Sequence, residues 1–390
     1  MKKIFSVFFL FLTVITGIGV YRFASLNKTF ADEIPHKCKA EILADADSGT
    51  VICSYNENER LPIASMCKIM TLLLCFEEER NGNLNFNEDV VISDCASGMG
   101  GSQVFLESGA SYKVGDLIKS ITVASANDAC VAMAERLCGS ESAFVDKMNE
   151  KCKNLNMTDT VFVNCTGLPQ AGQYSCAKDV FIMFSELLKF PAYFNYSKIW
   201  TDEISHPKGR ITEISNTNKL VRFYNGCDGG KTGYTSEAGH CLAASAVRDG
   251  MRLVSVVICA PDSKTRFAQV SSLFNYGFAN YASKLIVDDK TPLDISVSVE
   301  GGKKGVLSVS ADKPLYLFSK KNEKRGVEIT FTPDGKVKAP VKKGDIVGRL
   351  SVYENGIEIG SVNVISNEDV AEKTYFDVVR DVVRNWPLVS

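Results

Sequence analysis

Apolar residues recur at helical spacing beyond position 65, at Ile69, Leu72, Leu73 and Phe76, and predict a buried helix that Ser65 opens and Gly82 stops. Just upstream, residues 39–44 and 51–55 flank a stretch whose Asp, Ser and Gly residues suit a turn, so the two runs read as a hairpin. Residues 116–123, 128–137 and 143–155 carry the helical period again, with Gly139 separating the second from the third. Residues 239–247 and 253–258 favour strands joined around Asp249-Gly250, and residues 266–281 favour a helix. The texture changes near Pro292. Beyond it, short alternating segments are separated by Gly301-Gly302, Pro333-Asp334-Gly335 and Asn355-Gly356, the pattern of a separate small β-domain. At the end of the chain, Tyr375, Val378, Val379, Val382, Val383 and Trp386 form one helical stripe opposite Asp377, Arg380, Asp381 and Arg384. The pattern therefore predicts a mixed α and β chain. It divides into a leader over 1–31, a large domain over 32–290, a β-domain over 291–366 and an amphipathic tail helix over 367–390.

With 390 residues, 45% of them hydrophobic and 23% charged, the chain has ample material for a large core and more than one domain. A formal charge of -2 supplies neither a basic stripe for nucleic acid nor an acidic tail for a basic partner. The tail helix also balances acids against bases, so lying on a membrane surface and packing against the protein itself both stay open. At the other end, Lys2 and Lys3 precede an apolar run over 4–20 and then the small residues Ala24, Ser25 and Ala31, the layout of an export signal cleaved after Ala31. The run is also long enough to remain as an anchor, and with either outcome the rest of the chain is exported. Thirteen cysteines are an odd number with irregular spacing and no C-x-x-C. They predict mostly free thiols used as small core residues, as at Cys241 and Cys259, rather than a disulfide framework.

Three short motifs bear on chemistry. In Ser65-Met66-Cys67-Lys68 the serine stands where a helix begins, so its hydroxyl and the Lys68 amine share one face a turn apart. An apolar helix takes that lysine inward. Burial and a second cation nearby disfavour the ammonium, which suits Lys68 to accept the Ser65 proton, and the helix N-terminus offers N–H groups to developing negative charge. Cys67 points about 100 degrees away around the helix and reads as packing. Ser125-Ala126-Asn127 lies between two predicted helices; it either presents a hydroxyl and an amide to Ser65 or merely joins the helices, with Asn127 as a cap. Lys231-Thr232-Gly233 follows two glycines but misses the phosphate-loop spacing by one residue and precedes a strand rather than a helix. Lys231 and Thr232 instead suit a substrate carboxylate, one by charge and the other by hydrogen bond. His36, His206 and His240 are dispersed and form no zinc-ligand set; His240 either lines the cleft or is structural.

The ordered set of S-x-x-K, S-x-N and K-T-G resembles the β-lactamase and penicillin-binding protein superfamily. The longer segments Ile63-Ala64-Ser65-Met66-Cys67-Lys68-Ile69-Met70-Thr71, Gly100-Gly101-Ser102, Ala124-Ser125-Ala126-Asn127-Asp128-Ala129, Asn164-Cys165-Thr166-Gly167-Leu168 and Asp228-Gly229-Gly230-Lys231-Thr232-Gly233-Tyr234-Thr235 resemble serine-type D-alanyl-D-alanine carboxypeptidases, the low-molecular-mass penicillin-binding proteins. The likeness covers about residues 40–281. It implies an α/β (α+β) penicillin-binding, β-lactamase-like transpeptidase fold, an antiparallel sheet with flanking helices, followed by a small all-β domain. It also implies removal of the terminal D-alanine from peptidoglycan stem peptides through an acyl-enzyme on Ser65, with β-lactam antibiotics acylating the same serine and no cofactor or metal. In that scheme Lys68 is the base, Ser125 and Asn127 assist, Lys231 and Thr232 bind the terminal carboxylate, and the backbone N–H groups of Ser65 and Tyr234 form the oxyanion hole. Two departures from the family pattern are Cys67, where threonine is common, and Gly230, which is expected to loosen the strand carrying Lys231. A β-lactamase would need a further glutamate between the second and third motifs, for which the sequence has no convincing equivalent. A non-catalytic wall-binding protein on the same fold is the reading from another class.

Overall fold

The computed structural model describes residues 34–323 and 325–384, so the leader and Trp386 lie outside the described residues. The chain divides after Ala279 into two compact units.

The first unit is organised by an antiparallel sheet. Strands β1 (Ala40–Asp45), β2 (Val51–Tyr55), β3 (Cys227–Thr235), β4 (Gly239–Arg248) and β5 (Met251–Ala260) stand in the order β2-β1-β5-β4-β3. Every pairing is antiparallel, with Ile42 opposite Val256 and Lys231 opposite Ala243. β4 and β5 are buried along nearly their whole length, because their runs of small and branched apolar residues are covered on both faces. The turn between them puts Asp249 and Gly250 at φ 50 and 78, the left-handed pair that a two-residue hairpin requires.

Helix α1 (Lys68–Arg80) is buried from Lys68 to Phe76 and packs against α2 (Asn127–Cys138) and α4 (Ala177–Leu187), with α3 (Glu141–Asn154) beside it. Gly139, at φ 78, ends α2, and the Ser140 hydroxyl then accepts from Ala143 N to start α3. Helix α5 (Ser263–Asn280) buries Val270, Leu273, Phe274 and Gly277. A Cβ on Gly277 would stand 2.5 Å from Leu253 Cδ1, so the glycine sets how closely this helix approaches the sheet.

One departure from the expected helices matters for the site. The helix predicted over 116–123 is α-helical only for Val114–Lys119; it then widens into a π turn over Ser120–Ala124 and stops at Ser125. Ser120 and Thr122 both turn their hydroxyls back onto carbonyls four residues earlier, a bond that loosens the helical ladder.

The second unit has a four-stranded antiparallel sheet in which Ile357–Ser366 lies between Val309–Ala311 and Ile346–Glu354, with Glu328–Pro333 at the far edge. Val287, Val297, Leu307, Val309, Leu350, Val362 and Val364 form its core. Asn355 and Gly356, at φ 51 and 78, turn the central hairpin. The expected boundary after residue 290 is corrected: Tyr281–Val287 pairs with Leu315–Lys320, so this strand belongs to the second unit. Its apolar texture continues that of α5, which hid the break. Tyr375–Arg384 is a helix that opens on a reciprocal cap, with Thr374 and Asp377 bonded to each other's backbone N–H. Tyr375, Phe376, Val378, Val379 and Val382 are exposed, Tyr375 at 77% and Phe376 at 81%. Among the described residues, no helix is long and apolar enough to cross a membrane.

Candidate active site

Ser65 sits in a 3-10 turn, Ala64–Cys67, that leads directly into α1. The turn is held from both sides. Ala64 takes the left-handed φ of 47, which a side chain tolerates only when its surroundings impose it. A Cβ on Gly167 would stand 2.1 Å from Ala64 O, and one on Gly233 would stand 3.2 Å from Ser65 N. Loop 164–168 and strand β3 therefore close on the serine backbone as only glycines allow.

Lys68 is fully buried, as an inward-facing residue of an apolar helix should be, and its Nζ lies 3.0 Å from Ser65 Oγ. The amine also donates to Asn127 Oδ1 at 2.6 Å and to the carbonyl of Thr166. The Asn127 amide is oriented by its own Nδ2, which donates to Gly100 O at 2.7 Å. Asn127 does not cap α2, whose N-cap is Ala126 with no side-chain bond; its side chain is committed to the lysine. The next residue, Asp128, is buried and accepts from Val104 N, Leu106 N and Ala129 N, tying down the loop that supplies Gly100. Burial pushes its carboxyl above the usual carboxylate range.

Ser125 is delivered by the π turn in the left-handed conformation, φ 64, and its Oγ accepts from Lys231 Nζ at 2.7 Å. Lys231 also donates to Thr232 O at 3.1 Å and is almost wholly buried. Burial, and after it the charge of Lys68, hold its amine well below the ordinary lysine value. Between that lowered value and about 10.5 the unfolded chain binds more protons than the folded one, so stability rises with pH across the window. In melts of the parent and Lys231→Met, the midpoint gap is expected to shift towards the parent as pH rises to about 10, whereas a pH-independent gap counts against the burial of a titrating amine here.

Thr232 is buried, and Tyr234 projects from the strand with its ring stacked 4.4 Å from that of His240. β3 is an edge strand of this sheet, so every second residue turns its backbone N–H and C=O away from the sheet, and Gly233 brings the strand against the Ser65 turn. The expectation for Gly230 fails. It adopts φ 146 and a Cβ there would stand 2.4 Å from Ala243 O, so the glycine lets β3 press onto β4. The preceding Asp228 is clamped by Arg252 at 2.7 and 2.9 Å and by Ser245 at 2.6 Å, which fixes the strand rather than loosening it. Cys67 donates to Asn164 O, and burial pushes its thiol far up, as suits a packing residue. All thirteen cysteines lie among the described residues and none is bridged.

Two participants escaped the sequence reading. The Thr166 carbonyl has no side-chain signature to find. Arg266 is buried and donates to Gly233 O at 3.3 Å and Cys241 O at 3.2 Å; no carboxylate among the described residues pairs with it. Burial lowers its guanidinium to about 10. An arginine sharing the face of Val270 and Leu273 on an apolar helix was the available signal. Among the described residues no acid pairs with Lys68, Lys231 or Arg266, an arrangement that favours an anionic substrate.

A penicillin-binding, β-lactamase-like transpeptidase fold with a serine–lysine pair at the sheet edge is the class that this fold and site define. The chain belongs to the D-alanyl-D-alanine carboxypeptidase family, which matches residues 27–262, and residues 281–372 match the C-terminal domain of penicillin-binding protein 5. It is 35% identical to D-alanyl-D-alanine carboxypeptidase DacF of Bacillus subtilis over 99% of both chains. It is 30% identical to DacC of Escherichia coli over 88% of this chain and 87% of that one. Among solved structures, penicillin binding protein 5 from Haemophilus influenzae is similar with a TM-score of 0.67 at 28% identity, covering 87% of this chain and 99% of the other. The peptidoglycan synthesis regulatory factor PBP3 of Streptococcus pneumoniae gives 0.72 at 26% identity, covering 86% and 100%.

Proposed function

We propose that the chain is an exported serine-type D-Ala-D-Ala carboxypeptidase that removes the terminal D-alanine of peptidoglycan stem pentapeptides through an acyl-enzyme on Ser65. The observation that carries the reading is the set of partners around Lys68. Asn127 Oδ1 and Thr166 O can only accept, so both take N–H bonds from its amine and hold Nζ 3.0 Å from the Ser65 hydroxyl, within reach of the serine proton.

Ser65 Oγ attacks the carbonyl of the penultimate D-alanine while its proton passes to Lys68. The backbone N–H groups of Ser65 and Tyr234 receive the oxyanion. When the C–N bond breaks, the leaving D-alanine nitrogen takes, through Ser125, the proton that Lys68 had received from Ser65. Water then adds to the ester carbonyl and gives its proton to Lys68, which passes it to Ser65 Oγ as the ester C–O bond breaks and the shortened peptide leaves. Lys231 and Thr232 hold the terminal carboxylate, with Arg266 adding positive charge behind Gly233.

The test is incubation of the protein with a labelled penicillin and with a pentapeptide ending in D-Ala-D-Ala. Label mapped to Ser65, together with D-alanine release, is the expected result; label on another residue overturns the assignment. No carboxylate bonds to Ser65 or Lys68 among the described residues, which favours a long-lived acyl-enzyme over a β-lactamase. Steady turnover of a chromogenic cephalosporin would reverse that choice, and absence of any label would leave a wall-binding protein.

The tail helix is proposed to rest on the outer face of the cytoplasmic membrane through Tyr375, Phe376, Val378, Val379 and Val382. Because its charges balance, its binding to lipid vesicles should survive high salt and be lost in Val379→Asp; binding that disappears with salt alone contradicts an apolar mode.

A further inference from the structure

Beside Ser65 the first unit carries a groove of about 360 Å3, floored by residues 62–64 and walled by loop 167–173 on one side and by Thr235 and Glu237 on the other. Two contacts relate it to the nucleophile. Gly167 meets the Ala64–Ser65 peptide, and Gly233 meets Ser65 N, so the groove begins where the serine turn begins. Lys231, Thr232, Ser125 and Asn127 do not line it. Along β3 the order is therefore the carboxylate grip at Lys231 and Thr232, the serine at Gly233, and the groove at Thr235.

That order measures a peptide. A strand rises about 3.3 Å per residue, so Thr232 and Thr235 are about 10 Å apart along β3. A peptide antiparallel to this edge, with its carboxylate at Lys231 and its scissile carbonyl at Ser65, brings the residue before D-Ala-D-Ala to Thr235 and Glu237.

The groove is built rather than incidental. Asn164 anchors its outer wall: Oδ1 accepts from Gly167 N at 2.7 Å, while Nδ2 donates to Leu168 O and Gln170 Oε1. Gln173 accepts from Val163 N and Asn164 N. On the other wall, Thr235 Oγ1 accepts from Ala238 N at 3.0 Å and shapes the turn that presents Glu237. Glu237 is the one charged side chain lining the groove, it is exposed, and no cation among the described residues pairs with it. The cleft is thus cationic at the end that grips a carboxylate and anionic at the end that meets the preceding side chain.

We propose that this groove receives the side chain of the residue preceding D-Ala-D-Ala, and that Glu237 selects a side chain ending in a free ammonium group, as in a diamino acid. The inference rests on the carboxypeptidase reading and adds a specificity-determining residue to it. A peptide whose amine is already consumed in an amide bond loses the charge and becomes the poorer substrate.

The experiment uses the full chain and two peptides, Nα-acetyl-L-Lys-D-Ala-D-Ala and the same peptide with the lysine Nε also acetylated. D-Alanine release is followed to give the ratio of the two kcat/KM values. The parent protein is expected to prefer the free amine by about five-fold, as befits one charge pair at a partly open site. The preference should shrink at about 1 M salt, fall to near one in Glu237→Gln and invert in Glu237→Lys. Because the ratio is internal to each variant, differences in the amount of folded protein cancel. A parent ratio near one, or a preference that persists in Glu237→Gln, overturns the subsite while leaving the carboxypeptidase intact. Release of D-alanine from neither peptide overturns the carboxypeptidase reading and the subsite with it.

Discussion

Ser65→Ala is expected to abolish covalent labelling by a penicillin and to cut D-alanine release by about 10³-fold or more. Lys68→Ala should fall almost as far, because an alanine leaves the Ser65 hydroxyl with no base and leaves Asn127 Oδ1 and Thr166 O with no donor. The double variant should be little worse than either single one, since residues acting as one unit lose their joint contribution once. Lys68→Arg separates charge from basicity. It keeps a cation in the pocket, yet a guanidinium stays protonated and cannot take the serine proton, so acylation is not rescued. Rapid acylation of Lys68→Arg, followed by the mass of the penicilloyl adduct, would falsify the assignment of Lys68 as the base.

Gly167→Ala carries the second large effect. The position has φ 79, and the added Cβ would meet the backbone of Ala64 and Ser65 at 2.1 to 2.9 Å, where no flexible side chain can give way. Either the loop withdraws, taking the Thr166 carbonyl from Lys68, or the serine turn shifts from its base. A loss of stability of about 2–4 kcal/mol is expected, with an acylation rate lower by about 100-fold, read by thermal melting and by labelling kinetics. Gly250→Ala is the control. It has nearly the same φ, 78, but a Cβ there meets nothing within 4 Å, so it should cost about 1 kcal/mol and leave acylation untouched. Equal behaviour of the two variants would mean that backbone conformation, and not contact with the serine turn, is what Gly167 supplies.

What was legible at the site was local. Ser65 and Lys68 are three residues apart on one helix, so their shared face follows from helix geometry alone. The inward path of Lys68 follows from the apolar residues around it. Asp249-Gly250 and Asn355-Gly356 named their hairpins because few other dipeptides tolerate two left-handed residues. The choice between a capping and a catalytic-side role for Asn127 was not legible, since the same amide satisfies either until Gly100 O and Lys68 are brought to it. Gly230 was misread for a related reason: its need for glycine comes from the backbone of Ala243 and Ala244 on the adjacent strand, close in the sheet though separate along the chain.

The boundary after Ala279 shows the same limit, because an apolar strand following an apolar helix changes partner without changing texture. Sequence alone determined which candidate reacting groups the chain owns, their spacing along the helix, and where several of its turns fall, because propensity and periodicity act over a few residues. Tertiary structure decided that Thr166 O, 98 residues away, completes the shell of Lys68, that Ser125 faces Lys231, and that Arg266 backs Gly233. Those choices rest on burial and on hydrogen-bond partners supplied by distant segments, and a backbone carbonyl leaves no mark on residue type.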